Sequence, residues 1–128
     1  MVFLDSSFLI DLANARPAAQ GRLEGLIETR TPFSIPAPVY YEVRIDLAAR
    51  RTHTARFFRH IDKYAETPLM RKDAEAAAEI AEELQSEGES IGAIDLLIAG
   101  MCRAHRERLL TADRDFEKVK GLRVELFR

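Results

Sequence analysis

The stretch MVFLDSSFLIDL, Met1 to Leu12, decides the fold. Val2, Phe3 and Leu4 form an unbroken apolar run of the kind that fills a strand buried on both faces. Asp5, Ser6 and Ser7 interrupt it, and apolar residues then return at Phe8, Leu9, Ile10 and Leu12 with helical spacing. A buried strand followed at once by a helix is the opening unit of a parallel α/β sheet. It leaves a carboxylate and two hydroxyls at the carboxyl end of the strand, where open α/β sheets bind their ligands. Taken alone, Asp5 serves equally well as a cap for the helix that follows.

The same alternation continues. Helices are predicted over 6–14 and from Pro17 to about Glu28, then a proline-edged strand over Thr31 to Pro36. Pro38 suits the first position of a helix running to about Arg50, with Val39, Val43 and Leu47 on one face. A further helix is predicted over 53–64 and a strand over Thr67 to Met70. Asp73 to Glu87, rich in Ala and Glu, reads as a helix stopped by Gly88. Ser90 is the expected cap of a helix from Ile91 to about Glu107. Arg108 to Thr111 reads as a strand, 115–119 as a short helix and Leu122 to Phe127 as a last strand. Alternating strands and helices imply a parallel sheet covered on both faces.

The bulk properties fit one domain spanning residues 1–128. No apolar run reaches the roughly 18 residues of a membrane helix, and no secretory leader is evident. The single Cys102 cannot form an internal disulfide, which fits a cytoplasmic location. A net charge of −2 excludes a generically basic nucleic-acid binder. There is no H-E-x-x-H zinc spacing, P-loop or G-x-G-x-x-G.

Four acids carry the chemistry. Asp95 is the only charged residue between Ile91 and Cys102, in SIGAIDLLIAGMC. A lone carboxylate in such an apolar helix is costly unless it is paired or holds a metal. Glu42 lies about one turn into its helix, in PAPVYYEVRIDLA; taken alone it fits a surface residue better. Asp113 follows the strand RLLT, with Thr111 two residues earlier. Asp115 is the expected cap of the short helix, leaving Asp113 free. A doubly wound sheet brings the first and fourth strand ends together, so that Asp5, Glu42, Asp95 and Asp113 converge. At about 4 Å and an effective dielectric near 20, each like-charged pair costs about 4 kcal/mol. The cluster therefore calls for protons or for a hard cation such as Mg²⁺ or Mn²⁺.

The ordered set LDSSFLIDL, YYEV, AIDLLIA and LLTADRDF resembles the PIN-domain nucleases, and among them the small VapC-type toxins of toxin–antitoxin pairs. The resemblance covers the whole length, although no single motif is specific. It implies a three-layer α/β/α sandwich with a central parallel sheet, and Mg²⁺- or Mn²⁺-dependent endoribonuclease activity. It makes Asp5, Glu42, Asp95 and Asp113 the catalytic acids, with Asp5, Asp95 and Asp113 as metal ligands. Ser7 and Thr111 become supporting groups that orient carboxylate or water, and Asp115 a substitute for Asp113. It further implies an RNA substrate, a VapB-like antitoxin partner and a homodimer.

Arg44 and Arg114 are the candidate RNA contacts. The clusters RRTHTARFFRH (50–60) and CRAHRER (102–108) carry cations that could bind phosphate, but they read more readily as solvated helix faces. Tyr40 and Tyr41 read as core or interface residues. The alternatives are a solitary PIN-domain RNA-processing nuclease, a haloacid-dehalogenase-like phosphatase and a receiver-like binding module. The phosphatase needs a second Asp where Ser7 stands, and the receiver needs a supporting Lys with no evident place in the chain.

Overall fold

The computed structural model describes residues 1–50 and 54–128. Its centre is a five-stranded sheet in the order β3-β2-β1-β4-β5. The strands are β1 (Val2–Leu4), β2 (Phe33–Pro36), β3 (Glu66–Thr67), β4 (Arg108–Thr111) and β5 (Val124–Leu126), and every pairing is parallel. Six helices connect them: α1 (Ser6–Ala13), α2 (Pro17–Glu28), α3 (Ala37–Ala49), α4 (Thr54–Ile61), α5 (Arg71–Ser86) and α6 (Ala93–His105). A 3-10 turn, Arg114–Lys118, follows β4.

The connections from β1 to β2 to β3 step one way across the sheet. The next, through α5 and α6, steps back over β1 to β4. Right-handed crossovers running in opposite directions place their helices on opposite faces, which gives the expected three-layer α/β/α sandwich. The strand order reverses between β1 and β4, the switch point at which such sheets open a ligand crevice. Asp5 N–H donates to the Leu110 carbonyl at 3.0 Å, so the ends of these two strands are pinned together.

Val2, Phe3 and Leu4 are fully buried with Leu109, Leu110 and Ile35 of the neighbouring strands. Val39, Val43 and Leu47 form the buried stripe of α3. The α5–α6 hairpin packs so closely that a Cβ built on Gly100 would lie 2.5 Å from the Asp73 carbonyl and 2.7 Å from the Ala77 nitrogen.

Several element boundaries differ from the sequence reading. The third strand is Glu66–Thr67 and stops before Met70, because Pro68 has no N–H to continue the ladder. Helix α6 begins at Ala93 with Gly92 as its cap, and Ser90 stays in the preceding loop. The last strand is shorter than 122–127, and α5 starts earlier than Asp73. That earlier start comes from Asp73 itself, whose Oδ2 accepts the Met70 N–H at 2.8 Å and closes the first turn. The start predicted for α4 at position 53 lies outside the described residues, as do Arg51 and His53 of the basic cluster.

Candidate metal and phosphodiester site

Asp5 sits where β1 ends, 2 % exposed. Its side chain does not cap α1. Instead Asp5 Oδ2 accepts two hydroxyls, Thr111 Oγ1 at 2.6 Å and Ser7 Oγ at 3.0 Å. The two hydroxyls are themselves 3.2 Å apart. The backbone fixes both: the Ala112 N–H donates to Ser7 Oγ at 3.0 Å and the Asp113 N–H to Thr111 Oγ1 at 2.9 Å. The other oxygen, Asp5 Oδ1, is buried without a hydrogen-bond partner. Burial raises the pKa of Asp5, against the lowering pull of Thr111, the Ser6 backbone and Ser7.

Glu42 comes from the second turn of α3 and Asp95 from the first turn of α6. Asp95 is in the first turn of α6, where the helix dipole favours an anion. Its carboxyl is half-buried, and its pKa is pushed up to about 6 by burial and then by the charges of Asp5, Asp113 and Asp115. Glu42 is pushed further, to about 7, by burial and then by Asp95 and Asp5, while the Ser6 hydroxyl pulls the other way. Glu42 Oε1 is also buried and unpartnered. Asp113 adds charge to Asp5, Glu42 and Asp95 alike. The four carboxylates thus face one another electrostatically at the switch point.

The division of labour between Asp113 and Asp115 is reversed. Asp113, not Asp115, caps the 3-10 turn, with Asp113 Oδ1 accepting the Asp115 N–H at 2.9 Å. A cap must stand before the helix it closes, and this turn begins at Arg114. Asp115 is exposed and pairs with Lys118 at 3.3 Å. Asp113 Oδ1 is thus engaged by the turn, while its charge is felt by Asp5, Glu42 and Asp95.

Arg44 is turned elsewhere. Its guanidinium stacks 4.6 Å over the Phe58 ring of α4. Residues two apart on a helix lie about 200° apart around it, so nearness to Glu42 in sequence does not place Arg44 beside it. Arg114, exposed at the rim next to Asp113, pairs only with Glu117, at 3.6 Å, among the described residues. In the other basic cluster Arg103 is bound in a bidentate pair to Glu83, and Arg108 lies 3.5 Å from Glu125.

Two residues were missed from sequence. Ser6, readable as a local cap, lies beside Glu42. Tyr41, readable as core or interface, is 58 % exposed and lines a groove with Glu42. Burial decides both readings, and a single helix position does not reveal it.

The donor set suits a hard divalent cation. It is all oxygen, it is anionic, and two buried carboxylate oxygens, Asp5 Oδ1 and Glu42 Oε1, have no protein partner. Among the described residues no three acid or imidazole side chains already close on a common point. No helix among them is long and apolar enough to cross a membrane.

Residues 2–122 match the family model described as PIN domain. No curated protein matches in sequence. Solved structures do match in fold. A chain of VapBC2 from Rickettsia felis, bound to a DNA fragment from its promoter, is 21 % identical with a TM-score of 0.85 over 98 % of both chains. A chain of DNA-bound VapBC from Salmonella typhimurium is 21 % identical with a TM-score of 0.82, covering 99 % of this chain and 98 % of that one. VapC20 from Mycobacterium tuberculosis, described as a toxin that cleaves the sarcin–ricin loop, is 19 % identical with a TM-score of 0.71, covering 94 % and 95 %.

Proposed function

The chain belongs to the PIN-domain family, and from that premise we propose that it is a metal-dependent endoribonuclease, the toxin of a toxin–antitoxin pair. One observation carries the reading. Asp5 is held by Ser7 and Thr111 through a single oxygen, which leaves its buried Oδ1 to a ligand inside a ring of carboxylates.

Asp5, Asp95 and Asp113 would hold Mg²⁺ or Mn²⁺, which supplies Lewis acidity toward a phosphodiester oxygen and acidifies a bound water. Ser7 and Thr111 keep Asp5 in one rotamer, as hydroxyls and carbonyls behind metal ligands do elsewhere. Glu42, with its carboxyl near neutrality, accepts a proton from the attacking water at its unpartnered Oε1. Arg114 is placed to meet a phosphate at the rim, in a contact that weakens with salt. The phosphatase alternative fails at position 7, where a hydroxyl donates to Asp5 and no second acid stands.

The antitoxin partner is supported by the neighbours in fold, several of which come from VapBC complexes. A homodimer and action in the cytoplasm belong to the same proposal, as does a single nuclease domain over residues 1–128. Expressing the chain alone and with the product of the flanking gene tests the toxin role. Growth arrest that is relieved both by that partner and by Asp5→Asn is the expected result. Arrest that persists with Asp5→Asn contradicts the assignment of the site, and the absence of arrest favours a solitary RNA-processing nuclease.

A further inference from the structure

Beside the acids runs a groove lined by Ser6 and Ile10 of α1, Tyr41, Glu42 and Ile45 of α3 and Ile94 of α6. Ser6 and Glu42 belong to both the groove and the carboxylate site, so a group attached to a strand at the acids is within reach of the groove. Tyr41 and Ile45 are one helical turn apart and are 58 % and 52 % exposed, although their neighbours Val43 and Leu47 are fully buried. Core packing therefore does not account for them.

The two flanks of the site differ in chemistry. The 3-10 turn side offers Arg114, a cation. Among the described residues the groove lining holds no cation, and its polar side chains beyond Ser6 and Tyr41 are acids, Glu42 and Asp46, the latter paired with Arg50 at 2.8 Å. A phosphate is repelled there. A neutral, planar, apolar-faced group is accepted, and an aromatic ring is its natural partner.

Resting on the endoribonuclease reading, we propose that Tyr41 is the stacking face for the nucleobase adjacent to the scissile phosphate, and so a determinant of which RNA is cut. The sugar–phosphate backbone then follows the Arg114 flank while the base turns into the groove. Tyr41 is a positioning residue and performs no step of the chemistry.

The test uses the full chain, Mg²⁺ and a fluorescent single-stranded RNA 12-mer containing a mapped cut. Tyr41→Ala should raise KM about tenfold or more with kcat nearly unchanged, while Tyr41→Phe and Tyr41→Trp keep KM within about threefold of the parent. The alanine penalty should vanish on one substrate of a series with a single abasic nucleotide, which identifies the stacked base. Unchanged KM, a loss confined to kcat, or a penalty that survives every abasic position overturns the proposal. So does a Tyr41→Ala chain that handles RNA normally and instead loses binding to a co-expressed antitoxin, because the groove is then a protein-docking face. If the parent chain binds the 12-mer without cutting it, the nuclease reading fails, and anisotropy of the same probe with Tyr41→Ala still decides the stacking. A parent that neither binds nor cuts overturns both.

Discussion

Asp5 keeps one carboxylate oxygen occupied by two hydroxyls and the other free, and the hydroxyl pair makes a specific demand. Thr111→Val removes the 2.6 Å donor while conserving shape, and should weaken Mn²⁺ binding and cleavage by about 10–100-fold. Calorimetric titration with Mn²⁺ and initial cleavage rates check this, and Ser7→Ala should follow in the same direction. The acids also dictate a pH dependence. Folding raises the pKa of Glu42 from 4.5 to about 7 and that of Asp95 from 3.8 to about 6. Between the unfolded and folded values the folded chain holds more protons, so metal-free stability falls as pH rises through that window. Thermal melts in EDTA should show the fall, Asp95→Asn should blunt it, and added Mg²⁺ should raise the Tm more near neutral pH than near pH 5. At this scale the sequence was most informative where a residue clashed with its surroundings, as Asp95 does among apolar neighbours. It was least informative where two like residues stood together. The choice between Asp113 and Asp115 depends on where a 3-10 turn begins, and one peptide N–H decides it.

Element by element, the helices were legible because periodicity repeats over many residues: α3 shows its Val39, Val43 and Leu47 stripe directly in the sequence. The third strand was legible only roughly, over Thr67 to Met70, because two residues between Ala65 and Pro68 carry no period that could fix its bounds. Nor was the groove, because Tyr41 and Ile45 are apolar and only the packing shows them outside the core. The α5–α6 hairpin rests on a contact that the sequence barely hints at. Gly100 lets α6 approach the backbone of α5, and a methyl group there meets peptide atoms that cannot swing aside. Gly100→Ala should destabilise the chain by about 1–3 kcal/mol, read as a lower denaturation midpoint with an unchanged m-value. Asp95 rides on the same helix, so this variant should also lose activity at temperatures where the parent is still fully active.

For the whole molecule, topology does what no single motif does. Asp5 and Asp113 are 108 positions apart, yet β1 and β4 are neighbours and the strand order reverses between them, and the charge of Asp5 is felt by both Glu42 and Asp95. The parallel sheet follows from the alternation of elements, and that topology is the ground for proposing the four acids as one site. Mg²⁺ or Mn²⁺ and an RNA substrate were expected from the acids and from the resemblance, whereas which RNA is cut leaves no trace in a surplus of carboxylates near strand ends. The central claim is that these carboxylates act together through a divalent cation on RNA. The most direct measurement is cleavage of a labelled single-stranded RNA by the purified chain in Mn²⁺, in Mn²⁺ with excess EDTA, and by folded Asp95→Asn in Mn²⁺. Cleavage in the first reaction and none in the other two is the predicted result. Cleavage that persists in EDTA, or in Asp95→Asn at the parent rate, would contradict it.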